Sequence, residues 1–554
     1  MPLLEPARLS FRDDGTPYSE RYGDVYHTEA GGLGQAEAVF LAGNGLPGRW
    51  RAMDRFTILE TGFGQGLNFL ATWAAWRRDP QRSRRLHYVS TELHPFSAAD
   101  LSLLHAGLGA LEPLGRTLRE HWPTLTPGFH RIHLDEGAVV LTLLFGDALA
   151  TLPQLQCGAD AIFLDGFSPA CNPQMWSEAL FGELVRLAAP GATLATWSVA
   201  GHVRRALAKA GFDCEREPGF GPKRERLVGR LSAHAPHRPA SAASRHALVV
   251  GAGLAGTSIA NRLAERGWQI ELIDQASTPG AGASGNHAGV LRPLPSLDDN
   301  RLARLTRAGF LYGLHHLHRL ESHGQPTRWE ACGVLHLARD PAHEARQREV
   351  VAAQGLPADF LRFVDAREAS ALADWTLALG GWWFEHGAWV QPPSLCAANL
   401  GTWPDRIRLH LGHTLKELTH DDGLWRALDA TGAEIARAPV AILANGTGIL
   451  DLEQAAALPV RSARGQVAHL PASEGSPPRI VVCRLGYVSP EIDGLRCAGA
   501  TFTVDDDEPD LREHDHRENL AKLDFILPGY PHPPDGAPLA GRVGFRPASP
   551  DRLP

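Results

Sequence analysis

The chain has 554 residues, 44% of them hydrophobic and 21% charged, with a formal net charge of −8. That profile excludes a disordered chain and calls for at least two large folded domains rather than one core. It holds no apolar run of about 18 residues and its N-terminus lacks a signal-peptide pattern, so a cytoplasmic protein with no membrane partner is expected.

The seven cysteines (157, 171, 214, 332, 396, 483 and 497) are odd in number and form no C-x-x-C pair. That argues against a disulfide framework and against a zinc site, and no metal is expected. Only four of the 54 basic residues are lysine, at positions 209, 223, 416 and 522. Taken singly, basic clusters such as Arg204-Arg205 and Lys223-Arg224-Glu225-Arg226 read as solvated surface.

A first strand, Arg55–Glu60, leads into the turn Glu60-Thr-Gly62-Phe-Gly64-Gln-Gly66 and a helix through Trp76. Further strands are expected at Leu86–Glu92, Val139–Phe145, Asp160–Asp165 and Gly191–Trp197, the last after a Pro190 placed to stop a helix. Strands alternating with helices predict a doubly wound α/β, Rossmann-like domain with ligands at the carboxyl ends of its strands. Glu60, Glu92, Asp147 and Asp165 each fall at such an end.

A strand followed by E-x-G-x-G-x-G is the turn expected for S-adenosylmethionine, because Gly62, Gly64 and Gly66 let the backbone approach the methionine moiety. Glu92 lies 26 residues past Gly66, where a carboxylate can accept both ribose hydroxyls, and Asp147 can accept from the adenine amino group. The rival is an ordinary dinucleotide turn, but Gln65 and Asn68 shape this loop differently from G-x-G-x-x-G. Asp165 opens the proline-stiffened loop Asp165-Gly-Phe-Ser-Pro169-Ala-Cys-Asn172-Pro173. An ammonium has no lone pair with which to attack a sulfonium, so a carboxylate there can hold an amine and take its proton. The rival for Asp165 is a helix N-cap.

The stretches ETGFGQGLNFL (60–70), LDGFSPACNPQMW (164–176), PGATLATWSVAGHVRRAL (190–207) and GFGPKRERL (219–227) resemble a known family. It is the methyltransferase half of the bacterial bifunctional tRNA 5-methylaminomethyl-2-thiouridine biosynthesis proteins. The resemblance implies Asp165 as proton acceptor, with Glu60, Gly62, Gly64, Gly66, Asn68, Glu92 and Asp147 around the methyl donor. It also implies that Lys223, Arg224 and Arg226 touch tRNA.

Arg230–His246 has no acidic residue and is rich in Ala, Ser, Pro and His, as a linker is. Domains of 1–230 and 247–554 joined by 231–246 are therefore expected. Past the linker, Gly251-Ala-Gly253-Leu-Ala-Gly256 separates a strand from the helix Ala255–Arg266, and Asp274 ends the next strand. This is the full dinucleotide fingerprint with its ribose acid. The following loop Gly280–Gly289, with Ala283, Ser284 and Gly285, can wrap a pyrophosphate and admit an isoalloxazine ring, which selects FAD. Short aromatic and glycine-rich strands then dominate, as in an inserted antiparallel substrate-domain sheet.

These features resemble the glycine oxidase and D-amino-acid oxidase group. ASGNHAGVLRPL (283–294) in particular is similar to the oxidase half of the same tRNA-modifying family. The resemblance implies removal of the carboxymethyl group from 5-carboxymethylaminomethyl uridine as glyoxylate, leaving a primary amine. It makes Arg546 the clamp for the substrate carboxylate. The family pattern runs on past this arginine, whereas the chain ends at Pro554, so an incomplete flavin site is expected. Two rival readings stand beside it: a free-metabolite amine methyltransferase fused to an amino-acid oxidase, and a methyltransferase whose flavin half is a tRNA-binding scaffold.

Overall fold

Five parallel strands at the centre of the N-terminal half set the carboxyl ends on which its site is built. The strands are β1 (Arg55–Thr61), β2 (Arg85–Glu92), β3 (Gly128–Leu134), β4 (Val139–Phe145), β5 (Ala159–Leu164), β6 (Ala188–Thr196), β7 (Phe212–Pro218) and β8 (Glu225–Leu231). They form one sheet in the order β7-β8-β6-β5-β1-β2-β4-β3, parallel from β6 to β4 with antiparallel strands at both edges. The order in which strands are added reverses between β1 and β5, the switch point at which such folds bind ligands. β1, β4 and β5 are buried nearly throughout, and their apolar runs are what buried parallel strands require.

The computed structural model describes residues 3–29, 31–232, 244–534 and 538–551. It divides into two units, Met1–Ser241 and Ala242–Pro554. Most of the expected linker, 233–243, lies outside the described residues. No helix among the described residues is long and apolar enough to cross a membrane.

Pro190 does not stop a helix. The preceding helix ends at Leu187, and Pro190 lies inside β6. The β5–β6 register slips there, from Ala159 opposite Ala188 to Ala161 opposite Thr193, so the residue without an N–H sits where the ladder is already interrupted.

In the C-terminal unit β9 (His246–Val250), β10 (Gln269–Asp274), β11 (Ile407–Leu411) and β12 (Val440–Leu443) form an all-parallel sheet, ordered β11-β10-β9-β12. A second, largely antiparallel sheet of nine strands is built around Arg461–Pro471, which pairs along its length with Ala540–Ala548. Short strands outnumber helices in this region, as expected, and the helices Arg301–Ser322, Pro341–Gln354 and Glu513–Ile526 pack among them.

Candidate active sites

Between β1 and helix α1 (Leu67–Arg78) the chain turns through Gly62, Gly64 and Gly66 at φ of 88°, 53° and 78°. Side chains disfavour these values, and a Cβ on Gly66 would come within 2.8 Å of the Phe63 ring. The N–H groups of Gly62 and Phe63 bond to Thr91 O at the end of β2. Glu92 completes the turn: its carboxylate accepts from Gly64 N at 2.7 Å and from His94 N at 2.8 Å. Each of those oxygens retains a lone pair for a ribose hydroxyl. The Asp147 carboxylate accepts from Ala150 N at the start of a short helix. Gln65 Nε2 is buried in the turn with no hydrogen-bond partner among the described residues, so the turn holds a donor for a polar ligand. These residues fit a methyl donor.

Asp165 stands across the switch point from Glu60. Its Oδ1 accepts from Gly166 N at 2.8 Å and Trp197 Nε1 at 3.1 Å, and its Oδ2 accepts from Asn68 Nδ2 at 2.8 Å. Its backbone is pinned to β1, with Thr61 Oγ1 donating to Asp165 O at 2.8 Å. It caps no helix, since its oxygens serve its own loop and two distant side chains. Asn68 Nδ2 also donates to Glu60 Oε1 at 2.9 Å, and Ser90 Oγ donates to Glu60 Oε2 at 2.7 Å.

Burial, aided by the neighbouring Asp165, pushes the Glu60 carboxyl up to about 8 against the bonds from Ser90 and Asn68. Burial raises Asp165 only to about 6, because Gly166, Asn68, Trp197 and the Lys223 charge all favour its ionised form. At neutral pH Glu60 is an acid and Asp165 a carboxylate, the separation of roles that lets one of two carboxyls act as a base.

Two contributors, Trp197 and an N-terminal strap, are not legible in the sequence, and Lys223, which the resemblance implies as a tRNA contact, joins them at the site. Trp197, just past β6, supplies one of the N–H groups on Asp165. Lys223 lies with its Nζ 3.2 Å from the Trp197 ring centroid, half-buried rather than on the surface. An N-terminal strap also reaches the site: Asp24 Oδ2 accepts from Ser168 N at 2.8 Å, and Tyr22 stacks on Phe167 at 4.6 Å. Burial raises the Tyr22 hydroxyl, with further upward pushes from the Glu92 and Asp147 charges. Of the other two residues expected to touch tRNA, Arg224 is exposed, whereas the Arg226 guanidinium is tied to Glu217 at 2.6 Å and to Ala38 O.

In the C-terminal unit, β9 enters helix α2 (Leu254–Glu265) through Gly251 at φ 104°. A Cβ on Gly256 would stand 1.8 Å from Gly251 O, so the strand–helix approach requires a bare α-carbon there. Asp274 accepts from Ala252 N at 2.6 Å and Ala276 N at 2.8 Å, the arrangement Glu92 makes in the other unit. Ser284 Oγ accepts from Leu254 N at 3.0 Å, which brings the Ala283-Ser284-Gly285 loop onto the α2 N-terminus beside Gly253. Asn445 Oδ1, one residue from Ala444 O that walls in Gly251, is buried without a partner among the described residues. This cradle fits a dinucleotide pyrophosphate.

On the strand Ala540–Ala548, alternation puts Arg542, Gly544 and Arg546 on one face. Arg542 Nη2 donates to Ala281 O and to Gly282 O, the latter at 2.9 Å; Gly544 packs on Ala283. Arg546 lies 5.3 Å from the Phe502 ring centroid. A cavity of about 350 Å³ opens beside Gly285, His287, His469 and Arg542. Arg542 escaped the sequence reading, although period-two alternation from Arg546 points to it.

A model of the S-adenosyl-L-methionine-dependent methyltransferases matches residues 110–232, and one of the FAD dependent oxidoreductases (DAO) matches residues 246–554. Fold and sites thus define a two-part enzyme, a methyltransferase followed by a flavin-dependent oxidoreductase. The tRNA 5-methylaminomethyl-2-thiouridine biosynthesis bifunctional protein MnmC of Aromatoleum aromaticum is 67% identical over 100% of this chain and 87% of its own length. That of an Azoarcus species is 63% identical over the same shares. The chain belongs to this MnmC family. A glycine oxidase crystal structure from Geobacillus kaustophilus is similar at 20% identity and a TM-score of 0.48, covering 56% of this chain and 84% of that one.

Proposed function

We infer that this chain performs two successive steps on the wobble uridine of tRNA, in the cytoplasm where tRNA is found. The C-terminal half removes the carboxymethyl group of 5-carboxymethylaminomethyl-2-thiouridine. The N-terminal half methylates the amine so exposed. FAD, when bound, supplies the two-electron oxidation of the carboxymethyl carbon. The chain's own part is to hold the FAD diphosphate at Gly251, Gly253, Gly256 and Ser284 and its ribose at Asp274, and to fix the substrate carboxylate by Arg546.

In the methyltransferase half, Gly62, Gly64 and Gly66 take the methionine end of S-adenosylmethionine, Glu92 its ribose and Asp147 its adenine. Asp165 accepts a proton from the bound ammonium. The freed lone pair takes the methyl group and the C–S electrons stay on sulfur. The wobble base must leave its stack to reach this loop, as bases do in enzymes that modify them. Arg224 is the exposed cation suited to the tRNA backbone.

The observation that carries the reading is the Asp165 carboxyl, which accepts from Asn68 and Trp197 beside a glycine turn built for the donor. The test is transfer of labelled methyl from S-adenosylmethionine to tRNA bearing 5-aminomethyl-2-thiouridine. Equal or better transfer to small free amines, with none to tRNA, would favour a metabolite enzyme instead.

A further inference from the structure

Lys223 is one of four lysines in a chain whose other 50 basic residues are arginine, and it is drawn into the methyl-transfer site. Its Nζ lies 3.2 Å from the Trp197 ring centroid, and the indole N–H of the same tryptophan holds Asp165 Oδ1 at 3.1 Å. The cation is therefore fixed by a ring that is itself fixed to the acceptor carboxylate.

We propose that Lys223 is a positioning residue for methyl transfer, whose charge, held over the Trp197 ring beside Asp165, disfavours a second cation at the acceptor nitrogen, so that the amine surrenders its proton. The proposal rests on the methyltransferase reading above. The charges that meet here are countable. Asp165 faces Asn68 from α1, Trp197 from the end of β6 and Lys223 from the β7–β8 connection. Glu60 from β1 lies behind Asn68, with Ser90 from β2 against it. Lys223 also feels Asp24 of the N-terminal strap, and burial lowers its ammonium to about 8 against the pull of Asp165 and Asp24. A methyl donor adds a sulfonium and an incoming ammonium adds another positive charge. Three cations then meet beside the Asp165 carboxylate, and the proton most readily lost is the one next to it.

The step balances. R–NH3+ and Asp165–COO− become R–NH2 and Asp165–COOH. The amine lone pair forms the N–CH3 bond as the C–S pair returns to sulfur, which leaves as a neutral thioether. The product is R–NH2+–CH3, and Asp165 returns its proton to water.

The experiment is a pH profile of single-turnover methylation at saturating 5-aminomethyl-2-thiouridine tRNA, for the wild type, Lys223→Met and Lys223→Arg. Lys223→Met should move the acid limb up by about one pH unit, lowering the rate by up to about tenfold on the acid side of the limb and by little once the pH lies well above it. Lys223→Arg should keep the wild-type limb, because its charge is permanent. S-adenosylmethionine affinity, measured by calorimetry, should be unchanged in both and reports an intact fold. An equal loss at every pH, or an unshifted limb with only a weaker tRNA Kd, overturns the proposal. If the wild type methylates this tRNA at no pH, the function reading fails instead.

Discussion

Glu60 and Asp165 share one hydrogen-bond donor: Asn68 Nδ2 bonds Glu60 Oε1 at 2.9 Å and Asp165 Oδ2 at 2.8 Å. One amide thus spans the switch point and ties two carboxyls whose environments drive them apart. Glu60 is wholly enclosed, whereas Asp165 has an indole N–H and a backbone N–H on its other oxygen. The same bridge keeps the donor turn and the acceptor loop in fixed register, which methyl transfer requires.

Asp165→Asn should keep the loop geometry and S-adenosylmethionine binding while removing the base. A fall of about 10²–10⁴-fold in single-turnover methylation is expected, with donor affinity unchanged by calorimetry. Methylation of aminomethyl-uridine tRNA at a near wild-type rate would show that Asp165 takes no proton.

Glu60 carries the clearest pH signature in stability. Its folded-state value of about 8 lies above the ordinary 4.5, so the folded chain binds the extra proton between those limits. Stability is full below the unfolded value and falls as pH rises towards the folded one. Glu60→Gln removes that loss, by at most about 5 kcal/mol above pH 8 and by nothing near pH 4. Scanning calorimetry of the whole chain should show a Tm gain in the S-adenosylmethionine-responsive transition at pH 8.5 that vanishes at acid pH. A gain of equal size at both would mean that Glu60 is not held protonated.

Gly256→Ala tests the flavin cradle. The new methyl would stand 1.8 Å from Gly251 O, forcing α2 away from β9. The purified variant should lose most of its flavin absorbance while methyl transfer on the other unit persists. Stoichiometric FAD in this variant would remove the cradle from the binding site.

The two arginines of Ala540–Ala548 should separate binding from catalysis. Arg542→Met, at the Ala281–Gly282 carbonyls, should weaken FAD retention. Arg546→Met should leave FAD in place and raise the KM for the carboxymethylated substrate by tenfold or more, the loss of a charge-assisted pair. The reverse pattern would exchange their roles.

Much of this was readable in advance, for physical reasons. β1, β2, β4 and β5 are buried parallel strands whose apolar runs end on acids, and both glycine turns need φ values or close approaches that announce themselves. β3 was missed because its Phe129-His-Arg-Ile-His-Leu134 alternation is that of a half-exposed edge strand. Asp24 and Tyr22 were invisible as site residues because their partners Ser168 and Phe167 are distant in the chain, and the contact of Lys223 with Trp197 runs through a ring face that no spacing encodes. The resemblance implies that Arg226 touches tRNA; in the structure its guanidinium pairs with Glu217 across the β7–β8 hairpin, a contact between residues nine apart.

Mass spectrometry of the wobble nucleoside tests the whole account most directly. Purified chain with FAD and tRNA carrying 5-carboxymethylaminomethyl-2-thiouridine should yield 5-aminomethyl-2-thiouridine and glyoxylate when S-adenosylmethionine is withheld. The methylaminomethyl form should follow once it is added. A nucleoside that keeps its carboxymethyl group, together with an aminomethyl control that gains no methyl, would contradict the assignment of both halves.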